Sequence, residues 1–331
     1  MKVLYAVQGT GNGHLSRARD VIPALRKRGL DLDILVSGIQ ADIQISHPVK
    51  YQLKGLSFIF GKQGNVNLWR TYLKANAARL QKEIKSVPIE DYDLVINDFE
   101  PVSAWACKLK NKPCVSFSHQ AAVLSSNSPK PDKNDLMGKF ILKNYAPTTQ
   151  QFGLHFQPYA DKIYTPIIRQ DIRNADVKDG DYYTVYLPSY SDGRILKILS
   201  EIPNIKWEVF SKHNKVEFTG RNISIRPITN EAFVASLVGS KGVLCGAGFE
   251  TPAEALFLGK KLMVIPMKGQ YEQQCNAAAL KDMGVPVIKS LKSKHLDKII
   301  DWLESETRIV VNYPDITDQI IGQILEEVVL D

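Results

Sequence analysis

The chain has 331 residues, of which 44% are hydrophobic and 23% are charged, and its formal net charge at pH 7 is +7. These values fit a globular protein with room for two ordinary domains and exclude a disordered chain. The basic balance suits an anionic substrate, an anionic membrane surface or nucleic acid, and nucleic acid is not expected because no arginine-rich tract or basic-aromatic repeat occurs.

The cysteines and the apolar runs indicate the compartment. Four cysteines, Cys107, Cys114, Cys245 and Cys275, form no CxxC pair, and two of them fall in apolar segments. That pattern is typical of a reduced cytoplasmic protein. The first residues enter a strand without a signal-peptide pattern, and no apolar run reaches membrane-spanning length. We expect a cytoplasmic protein, at most peripheral at the inner face of a membrane.

The chain opens with a strand, a glycine-rich loop and a helix. Residues 2–7 are apolar, GTGNGH follows, and the helix is predicted over residues 15–28. This order is the usual start of an α/β nucleotide-binding fold. The dinucleotide fingerprint is incomplete, because His14 takes the third glycine position and the second strand, residues 33–36, ends without an acidic residue. A nicotinamide-dependent dehydrogenase is therefore disfavoured, a P-loop is excluded because no Gly-Lys-Ser/Thr follows, and we predict no bound cofactor.

Polar side chains follow the next strands of the first half. Residues 41–63 show a mixed pattern of apolar and polar residues. Residues 68–84 predict an amphipathic helix whose apolar stripe faces the core. The strand at residues 94–97 delivers Asp98 and Glu100 to its carboxyl end, where ligands of such sheets collect. Asp98 either orients a histidine in the cleft or caps the next helix, and Glu100 is expected to be a cap.

A second polar cluster follows the strand predicted at residues 113–117. His119 in that cluster either touches the acceptor or supports His14, or it is a loop histidine with satisfied hydrogen bonds. Residues 125–135 are rich in Ser, Pro, Asn and Lys and predict a mobile loop. Together with residues 139–145 this loop is the candidate acceptor lid, and its basic, aromatic-flanked face suits anionic lipid head groups.

Two domains and a final crossing helix are predicted. Residues 152–157 form the last strand of an N-terminal domain over 1–164, and an extended linker with its hinge near residue 165 leads out of it. The C-terminal domain covers 165–314, and residues 315–331 form a helix that crosses back onto the first domain. The second sheet begins at residues 182–187 and is followed by Ser189, a small polar residue at a strand's carboxyl end.

The most informative stretch is residues 243–277, VLCGAGFETPAEALFLGKKLMVIPMKGQYEQQCNA. Its pattern predicts strand, glycine loop, helix, strand, polar loop and helix. The helix that opens near Glu250 follows the glycine loop, so its free backbone N–H groups and positive dipole end suit a diphosphate. Glu254 lies one turn deeper, within reach of a ribose, and Glu272 and Gln273 offer an acceptor and an amide to further hydroxyls.

Many fixed positions in that stretch carry a family resemblance: Gly248, Thr251, Glu254, Pro266, Glu272, Gln273, Asn276 and Ala277. The pattern resembles the donor half of GT-B glycosyltransferases and is most similar to the family 28 C-terminal domain, a group that includes the N-acetylglucosaminyltransferase completing lipid II. The resemblance implies an α/β GT-B fold, with two facing Rossmann-like domains and parallel sheets. Plant-type relatives have Asp at the Glu272 position, so the resemblance does not identify the sugar.

The same resemblance implies roles in the first half. The first loop resembles G-x-G-x-x-H, which makes His14 the general base, and a neutral imidazole suits removal of a proton from an attacking hydroxyl at neutral pH. The alternative is that His14 caps the helix or contacts phosphate. Asp98 would orient the imidazole and stabilise its charged form. One of Arg17 and Arg19 meets the acceptor, or both lie on a solvated face.

The donor-binding residues that the resemblance implies are Gly11, Asn12, Gly13, Ser189, Gly246, Gly248, Phe249, Thr251, Glu254, Glu272 and Gln273. We predict an inverting glycosyltransferase that moves a sugar from a nucleotide-diphosphate sugar, expected to be UDP-linked, to a hydroxyl of a lipid-linked or small-molecule acceptor, with cell-envelope glycan synthesis as its setting. The alternatives are a UDP-sugar 2-epimerase of the same fold and a non-catalytic sugar-nucleotide binder.

A metal site is not expected. D-x-D strings can hold a divalent cation on a diphosphate, and this chain has three, at residues 31–33, 91–93 and 179–181. All three lie before strands or in turns, at the end of the sheet opposite the predicted ligand site, and are interpreted as turn residues. The sequence therefore predicts metal-independent chemistry, with helix dipoles and N–H groups holding the leaving diphosphate.

Overall fold

The computed structural model shows an α/β protein with two sheets. It describes residues 1–38, 45, 47–56, 77–133, 135–214 and 216–330, except the side chains of the last three of these. Much of the mixed segment predicted at residues 41–63, and the first part of the helix predicted at residues 68–84, lie outside the described residues.

The first sheet is parallel throughout its described strands. Their order across the sheet is β3-β2-β1-β4-β5-β6-β7. Continuous apolar runs form these strands because helices cover both faces of a parallel sheet. The strands are β1 (Lys2–Gln8), β2 (Asp31–Ser37), β3 (Tyr51–Leu53), β4 (Leu94–Asp98), β5 (Cys114–Ser118), β6 (Gln150–Leu154) and β7 (Ile163–Tyr164).

The strand order places the first glycine loop beside Asp98. The chain leaves β1 towards β2 and β3 and then returns to β4 on the other side of β1, which creates a crevice at the carboxyl ends of β1 and β4. Val7 pairs with Asp98 in this register, so the loop after β1 and the end of β4 share one edge.

The helices of the first half are α1 (Asn12–Lys27), α2 (Ala77–Ser86), α3 (Pro101–Leu109), α4 (His119–Leu124), α5 (Leu136–Tyr145) and α6 (Gln170–Arg173). Glu100 caps α3, since its carboxylate accepts hydrogen bonds from the backbone N–H groups of Val102 and Ser103, both at 2.6 Å. The capping interpretation is therefore correct for Glu100, and Asp98 does not cap this helix.

The second sheet is parallel except at one edge. Its order is β10-β11-β9-β8-β12-β13, and β10 pairs antiparallel with β11. The strands are β8 (Tyr182–Tyr186), β9 (Lys206–Ser211), β10 (Phe218–Gly220), β11 (Ile223–Pro227), β12 (Gly242–Gly246) and β13 (Lys261–Ile265). The helices of this half are α7 (Asp192–Leu199), α8 (Asn230–Gly239), α9 (Glu250–Phe257), α10 (Tyr271–Asp282), α11 (Leu296–Glu304) and α12 (Thr317–Leu330).

The final helix crosses back onto the first half, as the sequence predicts. Helix α12 contacts α1, and Ile320, Ile321 and Ile324 are fully buried. At the rim of this contact Arg28 donates to both carboxylate oxygens of Asp318, at 2.9 Å each. Burial of an apolar helix face is the main stabilising term here, because solvent and salt screen an exposed ion pair and leave it little net stabilisation.

Two predictions about the connection between the sheets were wrong in detail. Strand β6 ends at Leu154 rather than near residue 157, and β7 adds one more strand to the first sheet. The linker, predicted to be extended, contains the short helix α6. The domain boundary predicted near residue 165 falls between the last strand of one sheet and the first strand of the other, and it stays a prediction.

The two halves pack against each other through a shared apolar core. Phe156 from the first half and Phe249 from the second belong to one buried cluster, and their ring centroids are 5.2 Å apart. At this contact each half therefore buries apolar side chains of the other. Within the described ranges, no helix combines the length and apolar character needed to cross a membrane.

Candidate active site

A cleft of about 290 Å³ lies where the carboxyl ends of the two sheets meet. It is lined from the first half by the loop after β1 and the start of α1, and from the second half by the starts of α9 and α10. Twelve sequence-predicted site residues line it: Gly11, Asn12, Gly13, His14, His119, Gly246, Gly248, Phe249, Thr251, Glu254, Glu272 and Gln273. The structure thus brings together residues predicted from both halves of the chain.

Two predicted residues lie just outside the cleft lining of the described chain. Asp98 is fully buried directly behind His14. Ser189 follows Pro188, which does line the cleft together with Tyr186 from the end of β8. The predicted phosphate contact of Ser189 therefore stays a prediction.

His14 has one ring nitrogen engaged and the other turned to the cleft. Nδ1 lies 2.8 Å from Oδ1 of Asp98, while Nε2 lies 3.4 Å from the amide nitrogen of Gln120. We assign the proton to Nδ1, because a carboxylate accepts only and the Gln120 amide nitrogen donates only. Nη2 of Arg17 also lies 3.1 Å from Nδ1, but it already donates to both oxygens of Asp98. Nε2 is then an unprotonated base that faces the cleft.

Asp98 stays ionised in spite of its burial. Burial alone would raise the pKa of Asp98, but the charges and hydrogen bonds of Arg17 and His14 outweigh it and hold that pKa below its usual value. An ionised carboxylate behind Nδ1 stabilises the imidazolium that forms when Nε2 takes a proton. The arrangement therefore suits His14 to accept a proton at Nε2.

Arg17 was expected on a solvated face or at the acceptor, and the solvated-face interpretation is wrong. Its side chain is 2% exposed and donates from Nη2 to both oxygens of Asp98, at 2.6 and 2.8 Å. Its Nη1 donates across the cleft to Oε1 of Glu250. Arg17 lies one helical turn after His14, so the turn that supplies the base also supplies a buried cation.

The two glycine positions at the start of α1 differ in what surrounds them. A Cβ added at Gly13 would lie 2.9 Å from Cγ of Glu250, whereas a Cβ at Gly11 would have nothing within 4 Å. Gly13 therefore permits the starts of α1 and α9 to approach each other. The open space at Gly11 is available to a ligand.

Glu250 is the most perturbed carboxyl of the cleft. Burial, together with the nearby charges of Glu254 and Asp98, raises its pKa to about 7 against the opposing charge of Arg17. Glu250 is the first residue of α9, and Phe249 at the N-cap position makes no side-chain capping bond. The N–H groups of this helix end are thus available to an anion.

Glu254 is held by an arginine of the linker. Nε and Nη2 of Arg169 donate to the two oxygens of Glu254 at 2.5 and 2.8 Å, and Nη1 of Arg169 donates to Oδ1 of Asn230 at 2.7 Å. Arg169 and Glu254 are both nearly buried and both line the cleft. The predicted ribose contact of Glu254 would have to be made beside this ion pair.

Glu272 and Gln273 already have protein partners. The amide nitrogen of Gln120 donates to Oε2 of Glu272 at 3.0 Å, which links the two halves across the cleft. Oε1 of Gln273 accepts from the backbone N–H of Met267 at 2.9 Å. A sugar hydroxyl that bonded Glu272 would compete with Gln120.

Both ring nitrogens of His119 have hydrogen-bond partners within the protein, as the alternative of a loop histidine with satisfied hydrogen bonds predicts. Its Nδ1 lies 2.7 Å from the carbonyl oxygen of Leu154, and its Nε2 lies 2.7 Å from Oδ1 of Asn276. The ring stacks on Phe249 with centroids 3.9 Å apart. Burial lowers its pKa. A neutral ring donates one of these two hydrogen bonds and a charged ring donates both, and in either form the ring joins the two halves. This geometry leaves neither nitrogen free for an acceptor.

The D-x-D strings lie away from the cleft. The strings at residues 31–33 and 179–181 precede or begin strands, at the ends opposite the cleft. Asp33 pairs with Lys50 at 2.5 Å and Asp179 pairs with Arg308 at 2.6 Å. These carboxylates serve ordinary surface ion pairs.

Three cleft residues, Gln120, Arg169 and Glu250, escaped the sequence analysis as functional groups. With Arg17 they line the cleft, and all four take part in contacts between distant parts of the chain. Their partners are separated by 85 to 233 positions in the sequence. The one local signal was the i, i+3 spacing of His14 and Arg17, which places both on one helix face.

The chain matches one protein-family model, described as Glycosyl transferase family 1, over residues 1–305. A comparison with curated proteins found no match.

Solved glycosyltransferases share the whole fold at low identity. UGT89C1 of Arabidopsis thaliana complexed with UDP is 13% identical with a TM-score of 0.60, over 99% of this chain and 94% of the other. SnogD of Streptomyces nogalater is 13% identical with a TM-score of 0.54, over 98% and 99% of the two chains. The spinosyn rhamnosyltransferase SpnG complexed with thymidine diphosphate is 13% identical with a TM-score of 0.56, over 100% and 96%. The predicted GT-B fold is therefore confirmed.

Proposed function

The chain belongs to glycosyl transferase family 1, and on that premise we propose that it moves a sugar, with inversion at the anomeric carbon, from a nucleotide-diphosphate sugar to an acceptor hydroxyl. The general activity, transfer of a sugar from a nucleotide sugar to an acceptor, follows from the family. The observation that carries the finer proposal is the pairing of His14 with the buried Asp98, which leaves Nε2 of His14 facing the cleft.

His14 is the proposed general base. Its Nε2 takes the proton of the acceptor hydroxyl while that oxygen forms a bond to the anomeric carbon. The bond between the anomeric carbon and the diphosphate oxygen breaks, and its electron pair leaves with the nucleoside diphosphate. Attack and departure on opposite faces of the sugar invert the configuration. Asp98, ionised and hydrogen bonded to Nδ1, stabilises the imidazolium during this step.

The start of α9 is the proposed diphosphate site. The loop from Gly246 to Gly248 and the hydroxyl of Thr251 line the cleft there, and a Cβ added at Gly248 would have nothing within 4 Å. Backbone N–H groups at such a helix start and the helix dipole stabilise the charge that grows on the leaving group. Gly11, Asn12 and Gly13 approach the same space from the first half.

Glu272 and Gln273 are the proposed sugar contacts. Without a sugar, Glu272 accepts from Gln120, and a donor hydroxyl would take the place of that amide. This exchange would free Gln120 next to Nε2 of His14, where the acceptor hydroxyl has to arrive. Donor binding would thereby make Nε2 of His14 accessible to the acceptor hydroxyl.

UDP is the proposed nucleotide. Relatives of this fold have been solved with UDP and with thymidine diphosphate, so the fold alone selects neither. Ile228 and Thr229, in the loop proposed to read the base through its backbone, line the cleft. Glu254 is the proposed ribose contact, and its pairing with Arg169 favours a ribonucleotide.

The acceptor is proposed to be a small molecule or a lipid-linked hydroxyl compound. SpnG has been solved with a spinosyn aglycone, which shows the class of acceptor that one relative takes. In this chain Leu136 and Phe140 of α5 are 71% and 62% exposed, next to the exposed Lys139 and Lys143. That helix is the proposed contact with anionic lipid, which would keep a cytoplasmic protein peripheral at the inner face of a membrane.

Two domains, residues 1–164 and 165–314, with residues 315–331 crossing back, remain our proposed division of the chain. The connection from β7 to β8 supports it, because no described strand pairs between the two sheets. The acceptor would bind mainly to the first domain and the donor mainly to the second.

Metal-independent chemistry is part of the proposal. Asp33, Asp179 and Asp181 of the D-x-D strings are engaged in surface ion pairs, at strand ends opposite the cleft, and a helix start faces the diphosphate site instead. We expect a chelator to leave the transfer rate unchanged. Activity that is lost to the chelator and restored by a divalent cation would contradict this part.

The experiment that tests the proposed function separates transfer from epimerisation. Purified protein is first screened against UDP-, TDP- and GDP-sugars by thermal shift, since a ligand of the native state raises apparent stability. The stabilising donor is then incubated alone and with a panel of hydroxyl acceptors. Release of the nucleoside diphosphate that requires an acceptor supports transfer. An isomerised donor in the absence of acceptor would support a 2-epimerase and reject the proposal.

A further inference from the structure

We propose that Arg169 is a positioning residue that makes the cleft selective for ribonucleotide donors over 2′-deoxyribonucleotide donors. The inference rests on the proposed function, because it names the nucleotide class at the donor site. Its starting point is the pair formed by Arg169 and Glu254, which both line the cleft and whose side chains are only 8% and 3% exposed.

Arg169 engages its guanidinium on two residues at once. Nε and Nη2 donate to the two carboxylate oxygens of Glu254 at 2.5 and 2.8 Å, while Nη1 donates to Asn230 at 2.7 Å. Bidentate pairing of this kind fixes the plane of the carboxylate as well as neutralising its charge. The bond to Asn230, at the start of α8, fixes the guanidinium in turn.

The carboxylate retains acceptor capacity after this pairing. Two carboxylate oxygens offer about four lone-pair sites, and Arg169 uses one on each oxygen. The site that remains on each oxygen can accept one hydroxyl donor. A ribose presents two such donors side by side, on its 2′ and 3′ carbons, and this diol matches the oxygen pair of Glu254.

A 2′-deoxyribose matches the same pair poorly. It supplies one hydroxyl, so one oxygen of a buried carboxylate would lose water without gaining a donor in exchange. Leaving a buried acceptor unsatisfied is unfavourable, and sites built to bond a hydroxyl reject analogues that lack it. Discrimination between ribonucleotides and 2′-deoxyribonucleotides thus depends on how firmly the plane of the Glu254 carboxylate is held.

The location of Arg169 explains why the arginine and not only the glutamate matters. Arg169 belongs to the connection between β7 and β8, directly before α6, whereas Glu254 belongs to α9. A lysine at position 169 would keep the positive charge but bind one point instead of two. Glu254 would then stay paired but could turn, and the two free acceptor sites would lose their fixed spacing.

The test uses UDP and 2′-deoxy-UDP, which differ only in one hydroxyl, and measures their dissociation constants by isothermal titration of the full chain. We expect the parent protein to bind UDP at least about tenfold more tightly than 2′-deoxy-UDP. Arg169→Lys should reduce this ratio to below about threefold, with the affinity for 2′-deoxy-UDP changed by less than about threefold.

Two further variants keep the result interpretable. Arg308→Lys disrupts another bidentate pair, with Asp179, at the surface and outside the cleft lining, and it should retain the parent ratio. Asn230→Ala removes only the third hydrogen bond of Arg169 and serves if Arg169→Lys fails to fold. Its ratio should lie between those of the parent and of the lysine variant.

Each remaining outcome has a definite meaning. Equal affinity of the parent protein for the two nucleotides overturns the inference and leaves sugar transfer from a nucleotide donor intact. A ratio that survives in Arg169→Lys overturns the positioning role of Arg169. Binding of no nucleoside diphosphate at all would reject the proposed function, and the inference with it.

Discussion

Nδ1 of His14 lies 2.8 Å from Oδ1 of Asp98, at the place where the loop after β1 meets the carboxyl end of β4. The strand register produces this contact, because Val7 and Asp98 are neighbours in the parallel pair. The carboxylate is fully buried and also bound by Arg17. The pair therefore combines a fixed tautomer with an ionised partner, which is what a histidine base requires.

Asp98→Asn should lower the transfer rate at saturating donor by about 10²- to 10⁴-fold, because the imidazolium loses its ionised partner. The change keeps the shape of the side chain, and Arg17 keeps its bond to Glu250. The measurement is kcat together with the dissociation constant for the donor. A donor affinity within about threefold of the parent separates a catalytic effect from misfolding. A kcat within threefold of the parent would exclude the positioning role of Asp98.

Donor binding should weaken as the pH rises through about 7, the pKa to which burial raises Glu250. Below that pH the carboxyl is neutral. Above it the carboxylate repels the diphosphate at the start of α9 and competes for Arg17. We expect the dissociation constant for UDP to rise by up to about tenfold from pH 6 to pH 8. Glu250→Gln should flatten this dependence, and an equally steep curve in that variant would assign it to another group.

The raised pKa of Glu250 also makes the free energy of unfolding depend on pH. Its pKa in the folded protein lies above its ordinary value, so the native state binds more protons between roughly pH 4.5 and pH 7. Its contribution to the free energy of unfolding therefore falls as the pH rises through that window. The pH dependence of the urea midpoint in the parent and in Glu250→Gln provides an independent measurement of the same ionisation.

Gly13→Ala should destabilise the protein by about 1–3 kcal/mol, because the new Cβ would lie 2.9 Å from Cγ of Glu250, a side chain that its hydrogen bond to Arg17 holds in place. Gly11→Ala is the matched control, since its Cβ would meet nothing within 4 Å. That change should lower stability by less than about 1 kcal/mol, the range of an N-cap replacement. Urea unfolding of both variants checks the difference. Equal losses would show that the close approach at Gly13 has no energetic consequence.

The exposed face of α5 should bind vesicles that contain anionic lipid. Leu136→Ser combined with Phe140→Ser removes two apolar side chains that are 71% and 62% exposed. We expect this to lower the vesicle-bound fraction by about tenfold in co-sedimentation. Val310→Ser is the control, because Val310 is 94% exposed and lies outside α5. Equal binding of the two variants, or no binding by the parent protein, would reject a lipid contact at α5.

Sequence reasoning predicted the parts of the structure that local rules determine. Apolar runs followed by glycine loops mark parallel strands that enter helices, so β1, β12 and the start of α9 could be located from the sequence. Because such strands place their carboxyl ends at one edge, the approach of His14 to Asp98 could also be anticipated. The edge strand β10 was missed, since it is three residues long and its Phe218 is 51% exposed, which leaves little apolar pattern.

The partners of the buried charges could not be predicted in this way. Arg17 and Glu250 are 233 positions apart, and their contact depends on how the two sheets pack. An arginine one turn after a histidine is as consistent with a solvated face as with a buried ion pair. Arg169 is similar, because nothing around it in the sequence distinguishes a linker arginine from one bound to Glu254. Such contacts become visible only when the tertiary structure is known.

The central claim is that His14 removes the acceptor proton during sugar transfer, and one comparison tests it most directly. The parent protein and His14→Ala are supplied with saturating donor and acceptor, and formation of the glycosylated product is followed in a single turnover, with donor affinity measured in parallel. We expect donor affinity to stay within about threefold and product formation to fall by at least about 10²-fold in the variant. Product formation at the parent rate by a His14→Ala protein would contradict the assignment of the base.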